Sequence, residues 1–194
     1  MAITLRGGIR DERGWTLLEM LVVIGIMGTL AAMSILVSPA FTQHAKAESG
    51  IAQAVDALRV ARETAISQRR NVMIEFIGLT AIQTLRQEIG TNGVVTGTTV
   101  LNTIELENNV HFKLEDGVPD TPDGFGNGSA ISFGTSPARM FTSEGTLVNQ
   151  QGDVMNGTLF LSIPGDSRSA RAISIFGPTA LIRVWSWNGQ EWVE

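Results

Sequence analysis

The chain has 194 residues, a hydrophobic content of 43% and a formal net charge of −5. That is enough apolar material for one domain with a real core, and the acidic balance argues against a general nucleic-acid or anionic-membrane surface. With no cysteine, there is no disulfide framework, thiolate metal site or thiol nucleophile.

In chain order, the first predicted element is an apolar helix. No charged residue occurs between Met20 and Gln43, and the most apolar stretch, Trp15–Val37, has 23 residues. At ~1.5 Å per residue it is about 34 Å long, close to the ~30 Å hydrocarbon core of a bilayer. Arg6, Arg10 and Arg13 stand before it against Asp11 and Glu12, which predicts a cytoplasmic N-terminus and an exported C-terminal bulk. The run is too long for a cleaved secretory signal, and Ser38-Pro39-Ala40 is a weak cleavage site. A signal anchor is the closer rival, but it leaves Glu19 unexplained. A carboxyl there costs roughly 2.5–3.5 kcal/mol on insertion scales, so it reads as functional unless it reaches the headgroups.

The stretch "RGWTLLEMLVVIGIMGTLAAM" resembles the processing site of type IV prepilins and type II secretion pseudopilins. Those share a short charged leader, a glycine, an aromatic residue, then Thr, two aliphatics and Glu before an apolar helix. The resemblance implies that prepilin peptidase cuts between Gly14 and Trp15, with Trp in place of the usual Phe, and methylates the new amine of Trp15. It also implies that Glu19, fifth in the mature chain, meets the amine of a neighbouring subunit during assembly. A buried carboxylate needs a cation or a proton, and such a pair fixes register more than it adds affinity.

Pro39 is expected to kink or break the helix locally. Helical character resumes in "AKAESGIAQAVDALRVARETAISQRR", with Ile51, Val55, Leu58, Ala65 and Ile66 on one face and Arg59, Arg62, Glu63 and Arg69 mostly off it. One helix from about Thr16 to Arg70 follows, half in lipid and half in water. The expected organisation is a leader (1–14), a transmembrane half-helix (15–38), an amphipathic half-helix (39–70) and a β-rich globular domain (71–194).

The period then changes to two. Val72, Ile74 and Phe76 alternate, as do Leu159, Leu161 and Ile163; "ARAISIF" and "TALIRVW" are further strands. Asn-Gly pairs at Asn92, Asn127, Asn156 and Asn188, and Asp-Gly pairs at Asp116 and Asp123, signal turns in an antiparallel system. The last of these, Asn188-Gly189, calls for a two-residue type I′ hairpin. It sets Trp187 opposite Gln190, Ser186 opposite Glu191 and Trp185 opposite Trp192. Trp185, Trp187 and Trp192 then share one face, as domain core or as a contact for a neighbouring subunit.

The segment from Ala130 to Gly189 is similar to the GspH/FimT group of pseudopilins, through "GTLFLSIPG" and the final strand pair around a glycine. The fold class this implies is α+β, a long N-terminal helix packed on a C-terminal antiparallel β-sandwich. The function it implies is that of a pseudopilin or minor pilin in a type II secretion pseudopilus or a type IV pilus. Its partners are then prepilin peptidase, other pilin subunits and an inner-membrane assembly platform, and the chain sits in the inner membrane before entering a periplasmic or surface filament.

Nothing points to an enzyme or a cofactor. His44 and His111 stand alone in their elements, outside any nucleophile or metal motif. Asp116, Asp120 and Asp123 lack the spacing of a Ca²⁺ loop of the EF-hand type, and "EDGVPDTPDGFGNGS" reads as an exposed turn-rich loop. "GFGNG" lacks the strand, helix and lysine of a phosphate loop. Asn127-Gly-Ser and Asn156-Gly-Thr are formal sequons better read as hairpin turns. Two other readings stay open. One is a DNA-uptake minor pilin, for which Arg168, Arg171 and Arg183 are the candidate bases; the tail from Gly177 offers Arg183 against Glu191 and Glu194, too little for phosphate neutralisation. The other is a signal-anchored periplasmic domain outside any filament.

Overall fold

The computed structural model describes residues 16–134 and 138–194; within its helix, side chains are described up to residue 33 and again from residue 45. The chain divides into two compact units, Met1–Phe41 and Thr42–Glu194. Helix α1, Leu17–Gln68, is assigned without interruption, Pro39 included.

In the first unit the described side chains from Leu17 to Met33 are exposed apart from a half-buried Val23, and they are almost all apolar: Leu17 is 90% and Leu18 75% accessible. Exposed apolar area on this scale is what a membrane or a protein partner covers. Among the described residues no helix is long and apolar enough to cross a membrane; the described side chains include only the first part of the apolar run, up to Met33.

In the second unit α1 turns one stripe inward. Ile51, Ala54, Val55, Leu58, Ala61 and Ala65 are buried at the three- and four-residue spacings of a helix face. The expected face is therefore narrower in one place and richer in alanine: Ile66 is 42% exposed, whereas Ala54, Ala57 and Ala61 are inside. The helix ends at Arg69, which takes a left-handed conformation (φ 52°). Arg70 N–H donates to Ala65 O (3.1 Å) and Arg69 N–H to Ile66 O (3.3 Å), the bonding of a Schellman cap with arginine where glycine is usual.

Among the described residues eleven strands follow: β1 Val72–Ile77, β2 Ala81–Ile89, β3 Val95–Glu105, β4 His111–Phe112, β5 Ile131–Ser132, β6 Arg139–Phe141, β7 Leu147–Val148, β8 Gly157–Ile163, β9 Asp166–Phe176, β10 Leu181–Trp187 and β11 Trp192–Val193. They form two antiparallel sheets, ordered β3-β2-β1-β6-β7 and β11-β10-β9-β8-β4, with β5 also on β8. The expected α+β class is the observed one. β4 and β5 meet successive parts of β8, Phe112 opposite Leu161 and Ile131 opposite Leu159, so residues 113–130 leave that sheet edge and return to it.

One core cluster joins the helix stripe to Val72, Ile74 and Ile82 of the first sheet and to Leu159, Leu161, Ile173 and Ile175 of the second. The alternation expected for β8 holds for Leu159, Leu161 and Ile163, but every residue of β8 is buried. Its other face carries Phe160, which packs with Ala172 and Trp185 in a second cluster. A strand covered on both faces reads as a continuous apolar run, and only Thr158 and Ser162 interrupt this one.

Asn156-Gly157 is not a hairpin turn. Gly157 opens β8 opposite Ile175, and the Asn156 Oδ1 accepts from Gly177 N–H (2.8 Å). Phe133 lies so close that a Cβ on Gly157 would stand 2.0 Å from its ring, so the glycine serves close packing. The excursion 113–130 is also less exposed than its composition implies, because Glu115, Val118 and Thr121 are buried.

Candidate functional site at the start of the helix

Gly14 and Trp15, the expected processing and methylation positions, lie outside the described residues. Glu19 lies inside them. Thr16 precedes the helix and caps it: its Oγ1 accepts from Glu19 N–H (3.2 Å), and its carbonyl accepts from Glu19 N–H (3.1 Å) and Met20 N–H (3.2 Å). Thr16 is thus the N-cap and Glu19 the third helical residue, the spacing of a capping box. This role of Thr16 was legible as T-x-x-E ahead of an apolar run and was not read from the sequence.

The position has an electrostatic consequence. Glu19 is the acidic residue in the first helical turn, where the aligned peptide dipoles favour negative charge. Its neighbours Leu17, Leu18, Met20 and Leu21 are all more than half exposed. Among the described residues none donates to its carboxylate. The arrangement is a fixed carboxylate on an apolar helix, oriented by backbone bonds, and it can take a cation brought to it from outside.

The remaining candidates are engaged in structure. Asp123 Oδ1 accepts from the Thr121 hydroxyl (2.7 Å) and Phe125 N–H (3.2 Å), and Asp120 Oδ1 accepts from Gly128 N–H (3.1 Å). Asn127 Oδ1 accepts from the Ser132 hydroxyl (2.6 Å) and Ser129 N–H (3.2 Å). No group of three or more potential metal ligands occurs among the described residues. His111 lies half-buried in β4; the side chain of His44 is outside the described residues.

The three arginines proposed for DNA are not brought together as an open basic surface. Arg171 is 5% exposed, its Nε donating to Glu48 Oε1 (2.9 Å) and its Nη1 to the carbonyls of Ala170 (3.0 Å) and Arg168 (3.2 Å). Arg168 is exposed, and Arg183 stands 3.9 Å from the Glu194 carboxylate.

One buried carboxylate was missed by sequence reasoning. Glu115 accepts from Lys113 Nζ (2.9 Å), the Ser162 hydroxyl (2.9 Å) and Gly165 N–H (3.2 Å). Burial pushes its pKa up, but the hydrogen bonds from Lys113, Ser162 and Gly165 together outweigh that and hold the carboxyl below its ordinary value. It ties the start of the 113–130 excursion to the β8–β9 turn.

The expected tryptophan register is overturned. Trp187 stands opposite Trp192 and Ser186 opposite Val193, so Trp185 and Trp192 are not cross-strand partners. The turn has four residues. Asn188 Oδ1 accepts from Gln190 N–H (2.8 Å) and Glu191 N–H (2.9 Å), and Asn188 keeps a negative φ, which a type I′ turn forbids. A slip of two residues preserves the faces, so the three rings still share one side: Trp192 packs with both Trp187 and Phe160.

Comparison with known proteins bears on the N-terminus first. Residues 9–35 match the model of the prokaryotic N-terminal methylation motif. Two crystal structures of the type IV minor pilin FimU from Pseudomonas aeruginosa (strain PAO1) are similar to the chain. The P65 form is 18% identical, covering 72% of this chain and 90% of its own with a TM-score of 0.41; the P21 form is 16% identical, covering 79% and 93% with a TM-score of 0.44. No curated protein sequence matches the chain. With the methylation motif at its start and one long helix followed by antiparallel sheets behind it, the chain is type IV pilin-like.

Proposed function

We propose that the chain is a structural subunit of the minor-pilin or pseudopilin type, of the GspH/FimT group, working in a type IV pilus or a type II secretion pseudopilus. The observation that carries this reading is the methylation motif of residues 9–35 running directly into a helix capped by Thr16, with Glu19 in its first turn and large apolar side chains exposed behind it. Prepilin peptidase cuts between Gly14 and Trp15 and methylates the Trp15 amine. The segment Trp15–Val37 anchors the subunit in the inner membrane with the C-terminal domain in the periplasm, and an assembly platform extracts it into the filament.

The chemistry of Glu19 follows from its surroundings. An ionised carboxylate among apolar side chains is costly until it finds a cation, and the cut supplies one at the N-terminus of an adjacent subunit. Because the helix fixes the carboxylate, the pair sets the axial position at which two subunits lock.

The test is Glu19→Val in the full chain. Removal of a costly carboxyl leaves membrane insertion and cutting intact. Incorporation into filaments, measured in sheared or purified fractions, is expected to fall at least tenfold. Assembly at the wild-type level would overturn the assignment of Glu19.

A further inference from the structure

The 113–130 excursion and the last hairpin enclose a surface pocket of about 280 Å³. Pro119, Asp120 and Pro122 line it from the excursion, and Trp187, Glu191 and Trp192 from the hairpin. The two indole rings meet edge to face, with centroids 5.4 Å apart. Trp187 is 8% exposed and Trp192 is half-buried, so Trp192 supplies most of the accessible ring surface.

Several donors around this pocket are already used. Trp192 Nε1–H donates to the carbonyl of Pro119 (2.8 Å), and the backbone N–H groups of Gln190 and Glu191 donate to Asn188 Oδ1 (2.8 and 2.9 Å). Pro119 and Pro122 have no N–H to give. The pocket is therefore rich in acceptors: indole rings, whose faces carry partial negative charge, and the carboxylates of Asp120 and Glu191. The amide of Gln190, at the same rim, adds one group of each kind. Among the described residues no Lys, Arg or His lines the pocket, and neither carboxylate enters an ion pair. Asp120 Oδ1 accepts from Gly128 N–H (3.1 Å), which holds that carboxylate in place.

We propose that this pocket takes an arginine side chain presented by a different, basic protein. Its volume falls just below the ~300–1,000 Å³ of pockets that bury whole small molecules, so it suits one side chain. A guanidinium is planar and weakly hydrated; it stacks on an indole while its fork of donors reaches carboxylates. The ammonium of lysine is a compact, strongly hydrated charge and gains less here. A second copy of this chain carries the same net charge of −5, so the field between copies opposes their approach and favours a basic partner instead. Arginine and tryptophan are also the residues that most often dominate protein interfaces. The docking depends neither on processing nor on Glu19.

The test uses the full-length chain in its own cells, with an uncharged diazirine amino acid in place of the exposed Gln190. Irradiation should join it to another protein, at a peptide that contains arginine when the adduct is sequenced by mass spectrometry. Asp120→Asn with Glu191→Lys removes the negative charge and keeps an acceptor for Gly128 N–H. This double variant should lower the adduct at least tenfold with the melting temperature unchanged. Changing the partner's arginine to glutamate should then restore at least half of the original yield. An adduct with a second copy, with lipid or with a peptide lacking arginine overturns the proposal. So does the absence of any adduct, an unchanged yield from the double variant, or a charge exchange that restores nothing.

Discussion

Trp187 faces Trp192 across the last two strands with ring centroids 5.4 Å apart and planes at 61°. Trp192 also packs against Phe160 of β8, and its Nε1–H donates to the carbonyl of Pro119 (2.8 Å). The two-residue strand β11 is therefore held by one side chain that reaches three elements.

Trp192→Ala should accordingly destabilise the protein by about 2–3 kcal/mol, below the full cost of a buried tryptophan because the ring is half exposed. Thermal melting by near-ultraviolet circular dichroism checks this. A shift of under a degree would assign the ring to a surface role.

Arg171 and Glu48 join the helix to the second sheet, and they are unequal partners. Arg171 is buried, whereas Glu48 is 58% exposed. Glu48→Ala should cost about 1 kcal/mol or less, because the pair is screened on one side and two carbonyls still accept from the guanidinium. Arg171→Ala should cost more, about 2–3 kcal/mol, through lost packing of the stem and orphaned carbonyls. Denaturant unfolding of both variants measures the order; a larger loss for Glu48→Ala would contradict it.

Glu115 gives the fold a component of acid sensitivity. Its folded pKa is depressed, so its contribution to stability is fully present above the unfolded-state pKa of about 4.3 and is lost as pH falls through the lower folded value. Glu115→Gln should lower stability at neutral pH and flatten the fall below pH ~4.3. Parallel acid slopes for the variant and the parent would remove Glu115 from that role.

The Schellman cap at Arg69 predicts a gain. A non-glycine residue in the left-handed region is strained by roughly 1 kcal/mol. Arg69→Gly should raise stability by about 0.5–1 kcal/mol, read as an upward shift in melting temperature. A loss would mean that the Arg69 side chain makes a compensating contact.

The legible part of the sequence was the part with a strong period or a specific motif. The strand "GTLFLSI" is observed from Gly157 to Ile163, and the α1 stripe carries Ile51, Val55, Leu58 and Ala65 as read. β2 and β3 went unread, because one mixes Gln, Arg and Glu with its apolar residues and the other is a threonine-rich strand that buries neither face. The hairpin register failed for a local reason: the Asn188 side chain, not the backbone alone, closes the turn. The excursion 113–130 looked solvated because two of its three buried residues, Glu115 and Thr121, are polar and find partners inside, leaving Val118 as the one apolar residue among them. At the helix start, Glu19 was legible from its company, and the cap by Thr16, though written in the T-x-x-E spacing, was read only from the geometry.

The central claim is that this chain enters a filament as a processed subunit, and the mass of the mature protein tests it most directly. Intact-mass spectrometry of full-length protein recovered from the membrane should show loss of Met1–Gly14 and one added methyl group, with Trp15 as the N-terminal residue. Gly14→Val should abolish both changes, since a β-branched side chain crowds the cleavage position. A mature species that retains residues 1–14 and carries no methyl would contradict the account and leave an anchored domain outside any filament.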